Sequence, residues 1–490
     1  ACLTFFIASL VLSGWPDGFV INVEYPFAYT TDTIMTLYLM RREIEDSYFY
    51  SLRSGYPFGA DLRDFPMPAA GDFLILKILC HLFGSEVAAF NLYFLLSFPV
   101  VFVFSYGALR AFALGRPFAV AGAFVFVFLP FHFFRLIHLV YTLYFVVPVF
   151  FYFGYRLFMG APLLTNEQRL WASVLAYSLV FGGMASFNVY YAVFGVIVLS
   201  SAAVAGTVAR RDHKILLRGA CAAIAMTVGA VANRAPNLLH TMKYGANPEV
   251  ARRSPAESEI YGLKLTQLLL PHLQHRSSAL REVAEEYIRI FPLTGENRIA
   301  ALGGVGSVGV MVLLGAVFCQ LVGRPVDRRL VFFGLIFAVL FVVTTIGGLS
   351  ALFALLVSPQ IRGWNRASVF VGFPAIAAFF LLVELLFTRY AAPRRRAFLV
   401  PSGALLVGLF AVWDQAAAPC PDCNGALRRK FLGDQAFVQH IEAALPPGAA
   451  IYQLPYMVFP ERGRLHHLDD YGLAIGFLHS TTLRWSYAGM

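Results

Sequence analysis

The stretch "VAAFNLYFLLSFPVVFVFSYGALRAFALGR", residues 87 to 116, decides the fold class. Residues 87 to 109 carry no charge, and arginines stand at 110 and 116 just beyond them. Inside a bilayer every backbone N–H and C=O must be paired within its own segment, so such a run reads as a crossing helix, for which about 20 apolar residues suffice. Similar runs recur at 1–15, 117–134, 137–158, 170–185, 188–208, 215–235, 300–322, 329–349, 367–389 and 397–413. The expectation is roughly eleven spans.

The totals agree. Of 490 residues 59% are hydrophobic and 13% charged, with a mean hydropathy of +0.67. An ordinary soluble domain carries about 25% charged residues. The net charge of +10 would suggest nucleic acid in a soluble protein. Here it sits in short connections: "RAFALGR" (110–116), "YRLFMGAPLLTNEQR" (155–169), "ARRDHKILLR" (209–218), "GRPVDRR" (323–329) and "RYAAPRRR" (389–396). These fall at every second loop, which places them in the cytoplasm. The other side then receives the long loops 16–86 and 236–299, the turns near 132–138 and 186–188, the loop 350–366 and the tail from 414. Chain opening at Ala1 rather than Met reads as a piece of a longer protein. Its first run lacks the basic start and cleavage site of a signal peptide and is the remainder of a span.

In the first long loop, Ile34, Leu37, Met40, Ile44 and Tyr48 follow helical spacing, while Arg41, Arg42, Glu43, Glu45 and Asp46 fill the other face. That pattern predicts an amphipathic helix lying on the membrane with a wet charged face. Asp32 heads it after Thr30 and Thr31, where Asp is a favoured N-cap. A carboxylate at this surface is also placed to accept a proton from a substrate hydroxyl. The turn-rich "SGYPFGADLRDFPMP" (54–68) ends the helix and supplies Asp61, Arg63 and Asp64, which suit a cation or sugar hydroxyls and equally a local ion pair. A second interfacial helix is expected at 72–83, since Lys77 and His81 interrupt that apolar run.

The second long loop holds "NPEVARRSPAESEIYGLKLTQLLLPHLQHR" (247–276). Arg252, Arg253, Lys264 and His272, with His275 and Arg276, are donors of the kind a phosphate requires, and three glutamates stand ready to balance them. In "IRGWNRAS" (361–368), Arg362 and Arg366 lie at the external head of a span, against the usual charge bias. They point to an anionic partner such as a lipid phosphate, or to headgroup anchoring. Gly304, Gly306 and Gly309 match G-x-G-x-x-G, but no strand precedes them, and close helix packing explains them better. "HHLDD" (466–470) has no standard metal spacing. Cys420 and Cys423 lie externally, where a short disulfide is expected; the other four cysteines fall in apolar runs. From 434 the tail shows a helical pattern and then a strand-like "AAIYQLPY". The expected organisation is a transmembrane domain over 1–413 and the start of an external α/β domain over 414–490.

A multispanning chain with an acid heading an amphipathic helix in its first external loop resembles the GT-C superfamily of glycosyltransferases. "YPFGADLRDFPMP", "NPEVARRSPAESEIYGLKLTQLLLP", "GWNRASVF" and "HSTTLRWSYAGM" are similar to blocks of a bacterial inner-membrane family associated with that superfamily. The resemblance implies an all-α GT-C-like membrane domain in the inner membrane, with site and tail in the periplasm. It implies a polyprenyl-phosphate-linked sugar as donor, a glycan, lipid or protein as acceptor, membrane lipids as neighbours, and no nucleic acid. Asp32 would be the general base of an inverting transfer, with Asp61, Arg63, Asp64, Arg252, Arg253, Lys264, His272, Arg362 and Arg366 binding substrate. The second acidic motif of metal-dependent oligosaccharyl transferases is missing, so no cofactor is fixed and a divalent metal is left open. The rival expectation is a transporter or flippase of lipid-linked saccharides. Internal repeats and charges near the bilayer midplane would favour it, and neither is evident here. A non-catalytic scaffold for envelope assembly is the third possibility.

Overall fold

The computed structural model describes residues 1–490 apart from 15–16, 66, 68, 165–169, 248–252, 391, 418–419, 462 and 490. The chain is helical almost throughout. After α1 (Cys2–Ser13) the first loop forms α2 (Thr31–Glu45), the short hairpin of β1 (Tyr50–Ser51) and β2 (Ala60–Asp61), and α3 (Ala70–Phe83). The membrane body follows as α4 (Glu86–Ala111), α5 (Arg116–Val127), α6 (Pro130–Phe134), α7 (Val146–Phe158), α8 (Leu170–Tyr177), α9 (Val189–Arg210) and α10 (His213–Asn233). The second loop contributes α11 (Ala235–Tyr244), α12 (Glu257–Ile260), α13 (Leu265–Leu269) and α14 (Ser278–Ile290). Then come α15 (Gly303–Leu321), α16 (Arg328–Thr344), α17 (Leu349–Leu356), α18 (Ser368–Tyr390) and α19 (Pro393–Gln415). The tail adds α20 (Pro421–Ala444), β3 (Ala450–Ile451), α21 (Ala474–His479) and β4 (Arg484–Trp485), with β3 and β4 parallel.

Seven described segments are long and apolar enough to cross a membrane: Glu86–Ala111, Arg116–Tyr141, Val189–Arg210, His213–Asn233, Gly303–Leu321, Trp364–Tyr390 and Ala397–Gln415. This is a helical, multi-pass membrane protein. The remaining expected spans form shorter helices. Residues 2–13, 146–158 and 171–182 are apolar but short, and at 1.5 Å per residue a helix of 12 or 13 residues reaches about 20 Å of a core about 30 Å thick. The run expected over 137–158 is cut because Arg135–Tyr141 forms a 3-10 turn with His138 at non-helical φ −122, ψ 68.

The connections form two groups that meet at opposite ends of the helices. At one end Arg329 Nη1 donates to the Phe112 carbonyl (2.9 Å), Gly115 N–H to Glu384 (2.7 Å) and Arg210 Nε to the Phe158 carbonyl (3.2 Å). At the other, Gly71 N–H donates to the Ser186 carbonyl (2.9 Å), and Asn237 reaches the carbonyls of Arg63 and Asp64, both at 3.1 Å. Small residues bring helices together as expected: a side chain at Gly309 would run into the Ala375 carbonyl, so α15 and α18 touch backbone to backbone.

The wet charged face expected on α2 is not there. Arg42 and Glu43 are buried, because the tail and α3 pack over the face that faces solvent in a lone helix. Arg42 donates to Tyr38 Oη (2.9 Å) and the Ala60 carbonyl (3.0 Å), and Glu43 pairs with Lys77 at 2.8 Å. The helix expected at 72–83 forms as α3. It buries Phe73, Leu76 and Leu79 and exposes Leu74, Ile78 and Leu82. The tail is joined to the first loop by Trp485 N–H to the Arg53 carbonyl (2.7 Å), Gly55 N–H to the Tyr487 carbonyl (2.8 Å) and Arg53 Nη2 to the Ser480 carbonyl (2.8 Å). Its first helix starts at Pro421, earlier than the expected pattern at 434, where the Cys420–Cys423 disulfide closes its first turn.

Candidate functional site

Asp32 does not cap α2. The cap is Thr30, whose N–H donates to Thr33 Oγ1 at 2.6 Å, and Asp32 falls in the first helical turn. Its carboxylate is therefore free of capping and sits at the positive end of the helix dipole. Oδ2 lies 3.3 Å from His138 Nε2, and the side chain remains 43% exposed. Tyr471 in the tail is close by: burial, with the Glu461 and Asp32 carboxylates adding to it, pushes its phenol up.

His138 connects Asp32 to a buried charge cluster. Its Nδ1 is 3.4 Å from Arg135 Nη1. Arg135 is ion-paired with Glu296 at 3.0 Å and donates to Asn365 Oδ1 at 3.3 Å. Glu296 also faces Arg366 at 3.8 Å. The Arg366 guanidinium lies over the Tyr190 ring at 4.6 Å and the Tyr141 ring at 4.8 Å. A side chain at position 363 would overlap Arg366 Nη1, so glycine there makes room for it. Burial would raise the Glu296 carboxyl, but the Arg135 and Arg366 guanidiniums outweigh it and hold the group at about 2.

The residues expected to bind substrate fall into separate sets. Asp32 and Arg366 are joined through His138, Arg135 and Glu296. Arg253 and Arg362 form a second set: Arg253 pairs with Glu461 of the tail at 2.5 Å, and Arg362 pairs with Glu257 and lies 4.0 Å from Glu461. Asp61 and Arg63 pair with each other at 2.5 Å, and the Asp64 carbonyl is tied to Asn237. Lys264 donates to the Pro292 carbonyl (2.6 Å), and His272 contacts the Asp414 carbonyl (3.2 Å), so both act as loop ties. Arg252 lies outside the described residues. Among the described residues no group of three or more His, Cys, Asp or Glu stands together as a metal site.

Sequence reading missed Arg135, His138, Glu296, Tyr141 and Tyr190. The signal available was "FRLIHLVY" (134–141), an arginine and a histidine spaced by three inside an apolar stretch.

An apolar groove of about 730 Å³ runs between α9, α10, α16 and α17, with Trp364 and Arg234 among its lining. A smaller pocket of about 170 Å³ shares Val189, Ala230 and Arg234 with it and adds Tyr190 and Gln360. Tyr190 thus borders this pocket and carries Arg366 on its ring. Arg234 has no acidic partner among the described residues, and its Nε is buried without a hydrogen bond.

The architecture is that of a multi-pass helical protein with a buried cationic cluster and a partly exposed carboxylate, Asp32, where its loops converge. No protein family and no curated protein matches the chain in sequence.

Proposed function

We propose that this chain is a GT-C-like glycosyltransferase of a bacterial inner membrane, with eleven spans, the long loops and the opening of an α/β domain in the periplasm, and a polyprenyl-phosphate-linked sugar as donor. The observation that carries the reading is the chain of contacts from Asp32 through His138 to two buried arginines, one of which lies over Tyr190 at the border of a pocket that shares its lining with the apolar groove. The chemistry then runs as follows. Asp32 accepts the proton of the acceptor hydroxyl as that oxygen bonds to the anomeric carbon. The bond from that carbon to the phosphate oxygen breaks on the opposite face, and its electron pair leaves with the lipid phosphate, giving inversion. Arg366 and Arg135 stabilise the charge that grows on the phosphate, where electrostatic catalysis has most effect. The groove accommodates an isoprenoid chain. His138 positions the Asp32 carboxylate.

Removing a general base costs about 10²- to 10⁴-fold in rate. Purified Asp32→Asn protein should therefore transfer sugar from a polyprenyl-phosphate donor at least about a hundredfold more slowly than wild type; equal rates would remove the base assignment. Wild-type protein that moves the lipid-linked sugar across vesicles without forming a glycosidic bond would replace the enzyme reading with a transporter.

A further inference from the structure

Arg135 and Arg366 are both buried, with side chains 1% and 9% exposed, and they share one carboxylate. One positive charge is left over, and burying a charge without a full partner is unfavourable. Arg366 bears most of this imbalance. It makes no side-chain hydrogen bond to any described residue, and its Nε, like that of Arg135, is buried and unpartnered. The tyrosine rings against it stabilise the cation through their faces, yet offer its buried Nε–H no acceptor. Buried donors in native proteins are nearly always paired, so this arrangement calls for an acceptor.

We propose that Arg135 and Arg366 form a phosphate site and that Glu296 is its resident counter-ion, displaced when a phosphate group binds. The proposal rests on the transferase reading only for what the phosphate is attached to. A carboxylate brings one charge and two oxygens, and here it reaches Arg135 at 3.0 Å but Arg366 only at 3.8 Å. A phosphate brings more charge and more acceptor oxygens, in a geometry that guanidinium forks match. Access also fits: the Glu296 side chain, 30% exposed, is the most open of the three charged groups, although Oε2, which faces both arginines, is itself buried. The turn that bears it, Gly295–Ile299, is anchored by buried Asn297, which donates to the Gly262 carbonyl. Displacement is then a rotation of the Glu296 side chain with the turn in place.

Binding of inorganic phosphate and of farnesyl phosphate to purified protein in detergent, measured by calorimetry, tests this. With its internal competitor removed, Glu296→Gln should bind one or both at least about tenfold more tightly than wild type, and the Glu296→Gln, Arg366→Gln pair should lose the gain. Gain for farnesyl phosphate alone marks a membrane-borne ligand; equal gain for both marks recognition of the phosphate itself. A folded Glu296→Gln protein with unchanged or weaker affinity for both overturns the proposal. Should that variant fail to fold, Arg366→Gln must weaken phosphate binding at least about tenfold against wild type, and no change overturns the proposal. These readouts need no sugar transfer. Gain in Glu296→Gln alongside full transfer by Asp32→Asn would keep the phosphate site and remove the base; the reverse pattern would keep the base and remove the counter-ion.

Discussion

Arg42 and Asp46 stand one helical turn apart at the end of α2 and look equivalent in the sequence. Their surroundings are opposite. Arg42 is fully buried and ties Tyr38 Oη to the Ala60 carbonyl, whereas Asp46 is exposed. Removing a buried charged donor leaves its acceptors unpaired at about 1 to 3 kcal/mol each, and a surface change away from such features stays within about 0.5 kcal/mol. Arg42→Ala should therefore lower the unfolding midpoint strongly in detergent, and Asp46→Ala should leave it in place. Equal effects would mean that α2 keeps a solvated face after all. The same contrast shows why Asp32 was legible and its partners were not. An acid at a helix start is a local pattern. That Thr30 and Thr33 take over the capping, and that His138 arrives from a turn about a hundred residues later, depends on the folded chain.

At the scale of elements, α2 is held between the body and the tail, and a histidine contributes to that fastening. His479, at the end of α21, lies 3.0 Å from Tyr29 Oη, next to the start of α2. Burial pushes its imidazole down to about 4, and burial pushes His272 in the second loop down to about 4 as well. An unfolded histidine titrates near 6.5. Between pH 6.5 and 4 the unfolded chain therefore binds protons that the folded chain refuses. The stability these groups contribute is complete above about pH 6.5 and is lost as the pH falls toward 4, by about 3 kcal/mol for each. Thermal unfolding from pH 7.5 to 4 should show a midpoint that drops below pH 6.5, with a shallower drop for His479→Gln. An unchanged slope in that variant would show that the tail contact is not linked to protonation. Glu296, held at about 2 against an ordinary value of 4.5, contributes stability that is complete above about pH 4.5 and is lost as the pH falls from there toward 2.

At the scale of the whole molecule, the arginine bias of alternate loops was readable because it belongs to each loop separately, and the contacts divide those loops into the same two groups. The Asp32–His138–Arg135–Glu296–Arg366 chain was not readable, since its members come from four chain segments and only the convergence of those segments brings them together. The division of the ends makes a direct prediction. Arg324 lies exposed in an arginine-rich connection, and Arg464 lies exposed in the tail. With the four free cysteines Cys2, Cys80, Cys221 and Cys319 replaced by serine, Arg324→Cys and Arg464→Cys can each be labelled in intact cells with a membrane-impermeant maleimide. The proposed orientation requires that Arg464→Cys is labelled in intact cells and Arg324→Cys only after the membrane is opened. The reverse pattern would invert the molecule and put Asp32 on the cytoplasmic side, away from any periplasmic acceptor. Labelling of both from one side would mean that an odd number of the intervening helices fails to cross, and the 17-residue α16, which is not among the seven segments long enough to cross, would be the place to look.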